Sequence, residues 1–143
     1  PPHISQESPA FRYSALCLVQ FDAAAMHQLV LETYYEGYTT PLTFEKITDH
    51  LADMTGRIFG DSLGLSKEDI FLRSLLIKGA MRGYIVQFDF SQPMDSQKYA
   101  ALVLDTALQL LGISAAESHD VLAQLEQRLP EIEAIADEMI HRR

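Results

Sequence analysis

Between Phe11 and Phe21 the larger apolar side chains fall on alternate positions: Phe11, Tyr13, Ala15, Cys17, Val19 and Phe21. A repeat of two puts successive side chains on opposite faces of an extended chain, so this stretch is predicted as a first β-strand. The same alternation returns in Tyr84, Val86, Phe88 and Phe90, with Gln87, Asp89 and Ser91 between them. It predicts a second strand with one wet face.

Elsewhere the spacing is helical. Asp22 is placed to cap a helix running to about Glu36 and closed by Gly37, with Met26, Leu29, Val30, Thr33 and Tyr34 as its inward stripe. Thr43 is read as the cap of a second helix carrying Phe44, Ile47, Leu51 and Met54, which ends near Gly56, with Leu42 stapled over Ile47. Ser66-Lys67-Glu68-Asp69 is a capping box. The third helix it opens, over about 67–82, is apolar around most of its circumference and is stopped by Gly83. Pro93 or Asp95 starts a helix that ends at Gly112. A second box at Ser114 opens one with Val121, Leu122, Leu125 and Leu129. Beyond Pro130 a last helix shows Ile132, Ile135, Ala136, Met139 and Ile140 on one side.

These elements predict an α+β fold, predominantly helical, with two strands and about six helices. Residues 1–10 are expected to form a flexible arm and 11–143 a single domain, with a strand-helix-helix-helix-strand core over 11–91 and C-terminal helices over 92–143. The order of the core fits a winged-helix arrangement with the third helix in the recognition position. Two short words also recur: Val19-Gln20-Phe21-Asp22 as Val86-Gln87-Phe88-Asp89, and Leu29-Val30-Leu31-Glu32-Thr33 as Leu102-Val103-Leu104-Asp105-Thr106. Both recurrences suggest a duplicated strand-helix-helix unit.

Charge narrows the partners. Eleven Lys and Arg against 20 Asp and Glu leave −9 over 143 residues, a field that repels phosphate backbones and anionic lipid. The one basic stretch, 57–82, holds Arg57, Lys67, Arg73, Lys78 and Arg82 against three acids. A DNA reader would need Arg73, Lys78 and Arg82 exposed on one face. No apolar run reaches the roughly 18 residues of a membrane span, so neither nucleic acid nor membrane is the expected partner. The single cysteine, Cys17, excludes an internal disulfide and a paired-cysteine motif, and suits a reducing, cytoplasmic setting.

Candidate chemistry is thin. Asp49, His50 and Asp53 lie within one helical turn but lack a fourth metal ligand, and a solvated face explains them better. Glu138 and His141 have the Glu-x-x-His spacing of di-iron bundles, without the second motif those sites require. Glu32 and Asp105 correspond in the internal recurrence, and Cys17 sits on an apolar face that offers a nucleophile no cationic neighbour. Phosphate loops and nucleophile elbows are absent. The sequence therefore points to no cofactor, no metal and no catalytic group. By elimination it predicts a non-catalytic protein-binding module, a small acidic adaptor, chaperone-like or inhibitor-like protein, with a winged-helix regulator and a small enzyme as rivals. The tyrosines Tyr35 and Tyr38 and the last helix's Ile132, Ile135, Met139 and Ile140 are the predicted contact residues, for another protein or for a homodimer.

Overall fold

The computed structural model describes residues 7–87 and 94–141, and every regular element among them is a helix. In chain order these are α1 (Pro9–Met26), α2 (Gln28–Thr39), α3 (Pro41–Phe59), α4 (Lys67–Gln87), α5 (Ser96–Leu110), α6 (Ala115–Gln127) and α7 (Leu129–His141). The α+β expectation is overturned, and the winged-helix arrangement, which needs strands, goes with it.

The first predicted strand is the middle of α1. Ser8 caps it, its hydroxyl accepting from the Phe11 amide at 3.2 Å, and Pro9 supplies a favourable first turn. The alternation misled because residues between the chosen positions, Ser14 and Leu18 among them, are buried too. A helix covered on all sides needs apolar or small side chains on every face, and a two-residue repeat can then be drawn through it at will. Asp22 is accordingly no cap but an interior residue of α1. The chain turns instead at His27, which holds an extended backbone between α1 and α2.

The second predicted strand fails for a different reason. Tyr84–Val86 continue α4 through Gly83, while Phe88 and Phe90 lie outside the described residues. Gly83 is there for a close approach: a Cβ would stand 2.5 Å from the Tyr99 hydroxyl of α5, which donates to the carbonyl of Ala80. Gly37 and Gly56, read as helix ends, also lie inside helices, α2 and α3. Thr40 rather than Thr43 precedes α3, and Leu42 is exposed instead of stapled over Ile47. With Val19–Asp22 inside α1 and Val86 inside α4, the recurring words have no strand-helix context.

The caps at Ser66, Asp95 and Ser114 are as the sequence spells them. Their side chains accept from the amides of Asp69, Lys98 and Glu117, each at 3.1 Å. Pro130 falls in the first turn of α7, where its missing N–H costs nothing.

Packing is organised around α1, which touches α2, α3, α5, α6 and α7. Phe11, Tyr13, Ala15 and Ala23 are fully enclosed there, and Leu108 and Ile132 close over it from α5 and α7. Helix α4 lies to one side of this arrangement, packed mainly on α2, α3 and α5, and it meets α1 through Lys78 on Gln20 and Tyr84 on Phe21. No single helix among the described residues is long and apolar enough to cross a membrane; α1 and α2 would qualify only as a pair, and they are bent by 114°.

Candidate interaction face and apolar groove

The buried side of α4 consists of Ile70, Ser74, Ile77, Lys78, Met81 and Ile85. At 100° per residue these share one half of the helix. The opposite half carries Leu72, Leu75 and Leu76, which are 49%, 37% and 60% exposed. Gly79 continues that face with no atom within 4 Å of where its Cβ would be. Leu102, on the outer side of α5, is 59% exposed. Two bonds tie α4 to α5 in antiparallel register, Arg73 Nη1 to the Leu110 carbonyl at 2.5 Å and the Tyr99 hydroxyl to the Ala80 carbonyl. That register brings Leu102 alongside the 76–80 stretch. The result is an outward apolar face spanning two helices, of the kind that marks interaction sites when it is continuous.

The cations of this region are structural ties. Lys78 is enclosed; its ammonium donates to the Tyr38 hydroxyl at 3.3 Å and to Gln20 Oε1 at 3.4 Å, and lies 5.8 Å from the Tyr38 ring centre. Burial draws it below the usual lysine range, against a smaller opposing pull from Cys17. Arg82 Nε donates to the Tyr38 carbonyl at 3.1 Å. Arg73, Lys78 and Arg82 thus do not form one exposed basic face.

Tyr38 itself is 4% exposed, with Tyr34 stacked at 6.2 Å and Phe44 edge-on at 5.6 Å. Tyr35 is half-buried. Of the α7 residues, Ile132 is enclosed against the core, Ile135 and Ile140 are half-buried, and Met139 is exposed. Helix α7 folds back along α1 and spends most of that stripe within the chain. The six predicted contact residues are not brought together on one surface.

Sequence reasoning missed the face of α4. In the sequence Leu72, Leu75 and Leu76 belong to a helix apolar around most of its circumference, and the signal available is the glycine: Gly79 leaves the same sector without a side chain.

A second feature is a groove of about 430 Å³ between α5 and α6, floored by Leu18 of α1. Ala101, Leu104, Leu122 and Leu125 form its walls, and Lys98, His119 and Glu126 stand among its polar lining. Both its volume and its mostly apolar walls suit a small organic ligand.

The remaining candidates are dispersed. Asp49, His50 and Asp53 are all exposed, along a shallow depression with Arg57 and Lys67. No group of three or more His, Cys, Asp and Glu among the described residues is placed to hold a metal ion. His141 is exposed, its Nδ1 2.9 Å from the Asp137 carbonyl, and His27 Nε2 lies 3.3 Å from Asp137 Oδ1. Glu32 and Asp105 each accept from a glutamine one turn along their own helix, at 3.3 and 2.8 Å. The Cys17 thiol is enclosed, and burial, opposed by Lys78, pushes it up to about 11. Asp22 is enclosed as well; burial first and the charge of Glu133 second push its carboxyl up to about 6.

No family model matches the chain, and no curated protein or solved structure matches it significantly.

Proposed function

We propose that this protein is a non-catalytic protein-binding module whose binding face is the outward side of α4, extended by Leu102 of α5. One observation carries the reading: three leucines of one helix stand exposed on a common face beside an open glycine. Scattered exposed leucines need no explanation, whereas a contiguous apolar face does. Its depleted charge and flanking polar residues match the centre of a protein interface.

Site-specific photocrosslinking in the producing cell tests this. A photoreactive side chain at position 76 is expected to give one dominant crosslinked product, absent when the same group replaces exposed Lys46 of α3. Identical weak products from both positions would overturn the reading.

The groove between α5 and α6 favours a second reading, a receptor for a small apolar molecule. Saturable binding of an apolar fluorescent probe, lost in a Leu122→Trp variant that fills the groove, would support it.

A further inference from the structure

Along α4, Glu68, Leu72, Leu75, Gly79, Arg82 and Val86 follow one another at alternating separations of four and three residues. That repeat keeps one seam of a helix turned toward a second helix. The seam has charges of opposite sign toward its two ends, apolar side chains between them, and a gap at Gly79. Glu68 and Arg82 are both exposed, and neither has an ion-pair partner among the described residues. Arg82 uses Nε on the Tyr38 carbonyl, which fixes the guanidinium at the edge of the seam.

This seam is its own complement when reversed. About a twofold axis at Leu75, Glu68 comes opposite Arg82 of the second copy and Leu75 opposite Leu75. Leu72, three residues from the axis, meets the gap at its Gly79, four residues from it, with an offset of about 1.5 Å, one residue's rise. A twofold interface demands such self-matching, because each patch must fit itself in the opposite direction. A foreign partner imposes no such relation between residues on one helix. We propose that the face of α4 pairs with a second copy of this chain, antiparallel, about an axis at Leu75. The proposal rests on the reading of α4 as the binding face and names its occupant. Gly79 lets the two helices approach closely where Leu72 enters, and Leu76 and Leu102 flank the seam, so that α5 of each copy joins the contact.

The pairing is tested by sedimentation equilibrium on the full chain and on four variants, with thermal melts confirming that each folds. The intact chain is expected to be a dimer at about 100 μM, a modest requirement for a specific contact. Leu75→Glu sets two carboxylates against each other at the axis and should weaken association about a hundredfold. Glu68→Arg and Arg82→Glu each reverse two pairs per dimer and should each weaken it about tenfold. An equimolar mixture of those two variants should recover near-native association, as should the double variant, because every opposed pair is again of unlike charge. An intact chain that stays monomeric, a dimer indifferent to Leu75→Glu, or a mixture that fails to recover would each overturn the proposal. A monomeric chain that still crosslinks to another protein from position 76 would overturn the self-pairing alone and leave the binding face standing.

Discussion

Helices α1 and α4 are both apolar on nearly every side, yet the chain treats them differently. Five other helices surround α1, and no large side chain between Phe11 and Phe21 reaches solvent freely. The neighbours of α4, chiefly α2, α3 and α5 with Gln20 and Phe21 of α1, lie on one side of it, and its leucines at 72, 75 and 76 are left outside. Apolar composition therefore marks what must be covered, and only the number and placement of neighbours says whether this chain does the covering. On the proposed reading, the apolar surface left on this outer helix is the surface a partner covers.

The sharpest test of that contrast is truncation on both helices. Phe11→Ala removes an enclosed ring that also carries the Arg128 guanidinium 4.9 Å above it. It should cost about 3–5 kcal/mol, a large part of the stability of a domain this size. Leu76→Ala, on an exposed face, should cost less than about 1 kcal/mol in dilute protein. Urea unfolding of both variants measures the pair, and similar losses would mean that α4 is covered as α1 is.

The same contrast runs along α7. Ile132 is enclosed against the core and Ile132→Ala should cost about 2–4 kcal/mol, whereas Met139→Ala should cost under about 1 kcal/mol. Equal and small losses in thermal melts would mean that α7 is only loosely docked on α1.

How far the sequence shows these things depends on what surrounds each residue. Ser66, Asp95 and Ser114 cap their helices through bonds three residues away, and such local chemistry is written in the sequence itself. The nature of α1 is not legible, because a fully enclosed helix loses the polar face that would reveal its repeat. Gly37, Gly56 and Gly83 look like ends because glycine costs a helix stability, but Gly83 answers to Tyr99, sixteen residues on, and only the packed helices show that. The candidate face has the same difficulty: leucines that face outward and leucines that face inward are one letter until the neighbours are in place.

Asp22 adds a pH dependence on the acid side of neutrality to the enclosed region, apart from that of buried Lys78 on α4. Its carboxyl, held up to about 6 against an ordinary 3.8, binds a proton in the folded chain where the unfolded chain has released it. Folding is therefore favoured by acid across this window: this contribution strengthens as pH falls from about 6 toward 4, and is absent from the folded state's favour above it. Asp22→Asn should raise stability at pH 7 by on the order of 1–2 kcal/mol and flatten the dependence between pH 4 and 6. Melting temperatures at pH 4, 5, 6 and 7 decide it; parallel curves for the two proteins would show that Asp22 is not what titrates.

The smallest effect separates two glycines on one helix. Gly79 and Gly83 both lie inside α4, but a Cβ at Gly79 meets nothing within 4 Å, while one at Gly83 meets the Tyr99 hydroxyl at 2.5 Å. Gly79→Ala should stabilise the dilute chain by about 0.5–1 kcal/mol, because alanine loses less freedom on entering a helix. Gly83→Ala has the same helical gain but must push aside a ring whose hydroxyl is held by the Ala80 carbonyl, and losing that bond costs about 0.5–1.5 kcal/mol. Gly79→Ala should therefore melt higher than Gly83→Ala, with the unaltered chain between them or level with the latter. At high concentration the order should change for one variant only. A methyl at position 79 intrudes on the outward face, so Gly79→Ala should lose part of its advantage as the chain is concentrated, while Gly83→Ala, whose methyl points at α5, should keep its place. An advantage at Gly79 that is the same at every concentration would mean that nothing approaches that gap.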